Sequence, residues 1–205
     1  MSKVPPRILS GSQHSDQRYE RETLVFSASG RVVLNRFSAT DCEIVVDKGV
    51  ELLAVAATFR GCRFDSRSGK PSYLEGALVE ACAFNGSFEA WQFGGRRGEP
   101  SVIGCDFGGA LLNDCEFYEC NVRESTFHGW PIIVFVEPDT NKSRFLRAPW
   151  PKTSKAQIFA QTLVLERRYP CAGFTIDANR AAKWMESTPE ELRLVAEDLG
   201  DLAIF

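Results

Sequence analysis

The chain has 205 residues, of which 44% are hydrophobic and 25% are charged, and its formal net charge is −3. This length and composition allow a substantial core and favour one compact domain. The N-terminus lacks the apolar stretch of a signal peptide, and no apolar window is long enough to span a membrane. We therefore expect a cytoplasmic protein with no membrane segment.

The chain opens with a polar segment. Residues 11–22 read GSQHSDQRYERE, which is polar enough to predict a mobile loop, so residues 1–22 are predicted to be a flexible N-terminal arm. Strand-like residues follow, and the interval from Leu24 to Ile44 is one that recurs further along the chain. We predict irregular first coils of a repeat structure from about residue 23.

Phenylalanine recurs about every twenty residues in the middle of the chain. The intervals between Phe64, Phe84, Phe107 and Phe127 are equal, except that the middle one is three residues longer. Each phenylalanine follows a small side chain by two residues, and these are Cys62, Cys82, Cys105 and Ser125. A constant step of this size with the same pair of side chains predicts one turn of a solenoid.

A finer step of five residues divides each turn between residues 57 and 129. Large side chains recur at Phe107, Leu112, Phe117, Val122 and Phe127, each two residues after a small one. Five matches neither the helical period near 3.6 nor the strand period of 2. It fits a short straight side followed by a corner, repeated around a polygon. We expect one large and one small side chain to point inward on each side.

The segments Ala-Leu-Leu-Asn-Asp at 110–114, Cys-Glu-Phe-Tyr-Glu at 115–119 and Cys-Asn-Val-Arg-Glu at 120–124 resemble the pentapeptide-repeat family. The resemblance lies mainly in residues 57–129. It implies a right-handed four-sided β-helix with four pentads per coil, which agrees with the twenty-residue step. We predict the β-helix to cover residues 23–147.

One turn is three residues longer than the others, which predicts a loop insertion at about residues 86–100. Residues 94–98 read GGRRG, a sequence typical of a loop. Insertions of solenoids often lie on the binding face, so Trp91, Phe93, Arg96 and Arg97 are candidate partner-binding residues. The alternative is that Trp91 and Phe93 pack inward and that both arginines are merely solvated.

The composition changes after the repeats. Residues 130–136 are predicted to be a strand and residues 143–145 a last, degenerate side. Residues 148–151 form a proline-rich linker, and residues 148–205 are predicted to be a helical C-terminal cap. Thr188 to Glu191 has the pattern of a capping box. The helices either cover the end of the solenoid or, as the family resemblance allows, pair two copies in a homodimer.

Six of the seven cysteines occupy the small inward position. These are Cys42, Cys62, Cys82, Cys105, Cys115 and Cys120. Free cysteine behaves as a small buried hydrophobe, and the spacing is not that of a zinc site. We therefore expect buried thiols, no metal and no cofactor, with Cys171 as the one cysteine that could differ.

Motifs of several enzyme classes are missing from the sequence. Left-handed β-helix acyltransferases step by six, whereas this chain steps by five. Residues 94–98 lack the Gly-Lys-Ser/Thr ending of a phosphate-binding loop, and no Gly-x-Ser-x-Gly elbow occurs. The carboxylates cannot be distinguished from the charged outward positions of a repeat. We expect a protein that is not an enzyme.

The family resemblance implies binding: some members protect DNA gyrase as acidic DNA mimics, and others are scaffolds or inhibitors of partner proteins. Residues 57–129 carry seven basic and ten acidic residues, which is weakly acidic for a mimic of duplex DNA. The acidic residues are unevenly placed, and Asp114, Glu116 and Glu119 lie in a stretch without lysine or arginine. Separated charges favour a particular protein partner.

We therefore expect a protein that binds and neutralises another protein, such as a bacterial immunity protein against a toxin or an inhibitor of another enzyme. Gyrase protection in antibiotic resistance is the alternative, and a structural or regulatory scaffold is the third class. Direct binding to nucleic acid is not expected. The candidate partner-binding residues are Trp91, Phe93, Arg96, Arg97, Asp114, Glu116 and Glu119.

Overall fold

The computed structural model describes residues 5–27, 30–74, 76–95, 101–165 and 170–205. The chain forms a β-solenoid of about six turns, mostly of parallel strands, with a few helices near the C-terminus. The predicted fold class is confirmed, while the right hand of the coil stays a prediction. The solenoid strands are β1 (Arg7–Leu9), β2 (Gln13–Ser15), β3 (Arg18–Glu20), β4 (Thr23–Phe26), β5 (Gly30–Thr40), β6 (Glu43–Val46), β7 (Val50–Arg60), β8 (Arg63–Ser66), β9 (Ser72–Leu74), β10 (Ala77–Glu80), β11 (Ala83–Glu89), β12 (Trp91–Gly94), β13 (Val102–Ile103), β14 (Asp106–Asn113), β15 (Cys115–Tyr118) and β16 (Thr126–Phe127).

One parallel sheet carries the predicted aromatic column. Its strand order is β1-β4-β6-β8-β11-β14-β16, and Phe64 pairs with Phe84 just as Phe107 pairs with Phe127. The rings of Phe64 and Phe84 stack with centroids 4.7 Å apart, and those of Phe84 and Phe107 lie 4.5 Å apart. The predicted register is therefore confirmed. The remaining solenoid strands form a second, larger sheet around the core.

The small inward position favours cysteine for a reason beyond its size. The thiol of Cys62 donates to the carbonyl of Ala39 in the preceding coil, at 3.3 Å. Cys82 donates in the same way to Phe59, Cys105 to Val79 and Cys115 to Phe88. Burial of the thiol raises the pKa of Cys115 to about 12. Six of the seven cysteines are buried, Cys171 included, and Cys120 is half-buried.

A corner with a left-handed backbone directly precedes four of the inward cysteines. Asp41, Gly61, Ala81 and Gly104 have φ values of 52°, 59°, 52° and 56°. They come directly before Cys42, Cys62, Cys82 and Cys105. The same corner therefore has the same left-handed backbone in four successive coils, as a repeated corner requires.

The prediction of a flexible N-terminal arm is wrong for residues 5–22. Strand β1 pairs in parallel with β4, and β2 and β3 both pair with β5, so this segment forms the first coil. Its polar sequence concealed the coil because only a few inward side chains, such as Leu9 and the buried His14, are needed to fill the end of the core.

The predicted insertion is shorter than residues 86–100. Phe93 pairs with Leu74 of the preceding turn and with Phe117 of the following turn, so β11 and β12 are regular sides of the coil. Val102 in turn pairs with Val79. The extra residues therefore fall between Phe93 and Val102, and residues 96–100 lie outside the described part of the chain.

The cap contains strands as well as helices. Strands β17 (Ile132–Val136), β18 (Cys171–Asp177) and β19 (Ala203–Ile204) form an antiparallel extension of the larger sheet. Strand β18 pairs with β15 and covers the edge of β15, the last solenoid strand of the larger sheet. The predicted strand at 130–136 is confirmed. The predicted helices near the C-terminus are confirmed, and the structure adds strand β18 between α2 and α3.

The helices are α1 (Lys142–Arg147), α2 (Ser154–Leu163), α3 (Ala178–Met185) and α4 (Pro189–Leu199), with 3-10 turns at Val122–Glu124 and Gly200–Leu202. Residues 143–145 therefore belong to a helix, and their prediction as a repeat side is wrong; Phe145 packs in a second hydrophobic core between the helices and the β17–β18 pair. The capping box is confirmed, because Thr188 Oγ1 accepts from the Glu191 amide at 3.2 Å. This packing is the capping arrangement, while a homodimer stays a prediction.

Candidate functional site

A cavity of about 320 Å³ lies where the last coils of the solenoid meet the cap. The solenoid contributes Glu89, Asn113 and Asp114, and the cap contributes Phe159, Ile176, Arg180, Ala181, Trp184 and Met185. This volume is at the small end of the range for ligand pockets, roughly 300–1,000 Å³. It therefore suits a small molecule or a single side chain from a partner.

The polar wall of this pocket, which we call the junction pocket, is built at the ends of paired strands. Glu89 ends β11 and is directly opposite Asn113, the last residue of β14. Asp114 follows at a corner with φ of 52°. On the cap side, Asp177 caps α3 and its backbone amide donates to Asn113 Oδ1 at 3.3 Å. The wall therefore joins two coils to the first turn of α3.

Arg180 and Glu89 form a bidentate ion pair across the junction. Arg180 Nη2 donates to Glu89 Oε1 at 3.1 Å, and Nη1 donates to Oε2. The hydrogen bond to Glu89 raises the pKa of Arg180 above its usual value. Asn113 Nδ2 donates both to Glu89 Oε1 and to Asp114 Oδ2, each at 3.0 Å. The guanidinium of Arg180 thus forms its ion pair with Glu89.

Asp114 is the second carboxylate of the junction pocket, and the charge of Arg180 and the hydrogen bond from Asn113 stabilise it only in part. It is open to solvent on one side, and desolvation on the other raises the pKa of its carboxyl, as does the negative charge of Glu89. Among the described residues, no cation lies within salt-bridge distance of it. The described lining residues include two carboxylates and one guanidinium, and Trp184 on the wall of the pocket is 52% exposed.

The structure separates the residues that the sequence proposed as a site. Asp114 lines the junction pocket. Glu116 lies close enough for its charge to contribute to the raised pKa of Asp114, and it accepts hydrogen bonds from Gln92 and Tyr118. Glu119 is half-buried, with Oε2 lacking a hydrogen-bond partner among the described residues.

The two aromatic candidates are part of the core. Trp91 and Phe93 are fully buried, and Phe93 stacks on Phe117 with centroids 4.9 Å apart. They offer no surface to a partner, so the inward-packing alternative holds and both leave the candidate site. Arg96 and Arg97 lie outside the described residues.

Sequence reasoning missed Glu89, Asn113, Arg180 and Trp184. Glu89 and Asn113 are 24 residues apart, so an alignment at twenty does not pair them. Trp184 was not singled out within the predicted helical cap, and α3 buries Ala178, Ala182 and Met185 instead. The usable pattern was the i, i+4, i+7 spacing of these three residues, which leaves Trp184 outside the buried stripe.

Elsewhere on the solenoid, opposite charges pair between neighbouring coils. Arg31 lies 2.7 Å from Glu51, and Arg60 lies 2.8 Å from Glu80, each pair being 20 residues apart in sequence. Arg36 pairs with Asp16 at the same spacing. The rod therefore carries paired charges where a DNA mimic needs an unbroken row of negative ones, and the junction pocket differs from this background.

Within the described ranges, no cluster of histidine, cysteine and carboxylate side chains has the arrangement of a metal site. None of the helices in those ranges has the length and apolarity needed to cross a membrane. Comparison of the chain with family models, with curated proteins and with solved structures found no match.

Proposed function

We propose that this chain is a non-catalytic member of the pentapeptide-repeat family that binds and neutralises a partner protein in the bacterial cytoplasm, as an immunity protein does with a toxin. The observation that carries the proposal is the junction pocket. This concave, partly desolvated site lies at one end of the solenoid and contains the carboxylate of Asp114, which forms no described ion pair, and the exposed indole of Trp184. Binding energy in protein interfaces concentrates in such pockets, around a few aromatic and charged groups.

Two arrangements favour binding over catalysis. Of the described carboxylates near Asp114, Glu89 is held by Arg180 and Asn113, and Glu116 accepts hydrogen bonds from Gln92 and Tyr118, so neither is set to share the roles of acid and base with Asp114. Several exposed charges of the solenoid are paired between neighbouring coils. This pairing also weakens the case for gyrase protection, which needs a strongly negative rod.

The test begins with copurification of the tagged protein from its native host and identification of bound proteins by mass spectrometry. The second step measures rescue of cells from a toxin encoded beside it and, in parallel, gyrase supercoiling in the presence of a gyrase poison. We expect rescue from the toxin and no effect on gyrase. Gyrase protection that is lost when Asp114 and Glu116 are changed to lysine would replace the proposal with the DNA-mimic function. Failure of both assays would leave a scaffold.

A further inference from the structure

We propose that the junction pocket binds a guanidinium group, held between the carboxylate of Asp114 and the indole face of Trp184, and that this group is an arginine side chain of the partner protein. The proposal rests on the proposed function for the source of the arginine. The chemistry of the pocket itself is independent of that source.

The charge of the pocket selects a cation. Among the described lining residues, Glu89 and Asp114 supply two negative charges and Arg180 supplies one positive charge, which is hydrogen-bonded to Glu89 and acts on Asp114 only through space. A bound cation would neutralise Asp114 and weaken its repulsion from Glu89. An anion would have to compete with Glu89 for Arg180 and would meet the charge of Asp114, so the pocket disfavours it.

The remaining walls distinguish a guanidinium from an ammonium group. Trp184 presents an indole that is about half exposed, and a planar guanidinium can stack on such a ring while it donates to a carboxylate. Phe159, Ile176 and Met185 provide apolar surface for the methylene groups of an arginine side chain. The small volume limits the ligand to about one side chain.

The first experiment uses Nα-acetyl-arginine amide as the probe and Nα-acetyl-citrulline amide as its uncharged isostere. Binding is followed by the indole N–H resonance of Trp184, which the Trp184→Phe variant assigns. We expect the arginine probe to shift this resonance with saturation and the citrulline probe to leave it unchanged. Equal shifts from both probes, or no shift from the arginine probe up to its solubility limit, would overturn the guanidinium site.

The variant Asp114→Asn removes the charge and keeps the corner, because asparagine tolerates the left-handed backbone. We expect it to weaken binding of the arginine probe at least tenfold. Asp198→Asn is the matched control, since Asp198 is exposed and lies outside the junction pocket. Unchanged affinity in Asp114→Asn, or equal loss in Asp198→Asn, would overturn the role of Asp114. Thermal melting of Asp114→Asn and Asp198→Asn beside the wild type separates a loss of binding from a loss of folding.

The second experiment locates the source of the guanidinium. Arginines of the copurified partner are changed singly to glutamine, and the affinity of each variant is measured. We expect one substitution to weaken binding at least tenfold in the wild type and to have little further effect in Asp114→Asn. If the probe binds but no partner arginine has this effect, the pocket takes a small free guanidinium compound and the side-chain source is wrong. If a partner binds and the probe does not, this inference fails while the proposed function stands.

Discussion

Replacement of Phe84 by alanine tests the aromatic column. The Phe84 ring lies between those of Phe64 and Phe107, with centroid distances of 4.7 and 4.5 Å, and it is 1% exposed. Edge contacts to Phe88 and Phe93 complete its surroundings. The substitution would therefore open a cavity in the centre of the solenoid, where the strand pairing on both sides limits collapse.

The expected cost follows from these contacts. Truncation of a buried phenylalanine to alanine costs about 3–5 kcal/mol in unfolding free energy. Loss of two stacked pairs, each worth about 0.5–1.5 kcal/mol beyond area burial, places Phe84→Ala near the upper end of that range. Phe127 is half-buried, stacks on Phe107 with centroids 5.4 Å apart and makes one edge contact with Phe117, so Phe127→Ala should cost about half as much.

Urea unfolding followed by circular dichroism measures both variants beside the wild type. Because single domains are stable by about 5–15 kcal/mol, Phe84→Ala should also lower the soluble yield. A cost below about 1 kcal/mol for Phe84→Ala, or an equal cost for Phe127→Ala, would refute the column as the main support of the fold.

Further predictions concern thiol reactivity and stability. The seven cysteines should react slowly with a thiol reagent until the protein unfolds. Because burial raises the pKa of Cys115 to about 12, the contribution of this thiol to the unfolding free energy should be present below about pH 9 and be lost as the pH rises from there toward 12, which thermal melts across that range would detect. Thr188→Ala should cost about 1 kcal/mol in urea unfolding by removing a cap, whereas Thr188→Ser should be nearly neutral, and equal losses would contradict this. Ala81→Gly should raise the melting temperature and increase the unfolding free energy by up to about 1 kcal/mol. The φ of Ala81 is 52°, and glycine adopts this left-handed conformation with less strain than alanine. Gly61→Ala should lower the melting temperature, because Gly61 has a φ of 59°, a left-handed conformation that strains a residue with a Cβ.

The repeat was predictable from sequence where each coil contributes the same side chains at the same spacing. The repeat was not recognised at Phe93. Its partners Leu74 and Phe117 lie at unequal distances along the sequence, because neighbouring turns differ in length. Trp91 was misleading as well, since it pairs with Ser72 at a position that is usually small. A large residue at a small site, beside a loop sequence, resembles an exposed anchor until the register is known.

The cap and the junction pocket depend on partners that are distant in sequence. Strand β18 pairs with β15 through contacts such as that of Thr175 with Cys115, which are 60 residues apart, and a local pattern carries no information about that pairing. Arg180 and Glu89 meet although 91 residues separate them. Only Asp114 was recognised in advance, because it belongs to an acidic stretch within the regular repeats, and its importance comes from what the cap places opposite it.

The antiparallel strand β18 fixes where this rod can change in length. Every solenoid contact before β15 is a parallel pairing that another coil could copy, whereas β18 reverses the chain direction and ends the series. Duplication of residues 42–61 should therefore add one layer, about 4.8 Å, between the N-terminal coil and the pocket without altering the pocket. Variants with different numbers of coils would in this way differ in the distance between the N-terminal coil and the junction pocket while they keep the same cap.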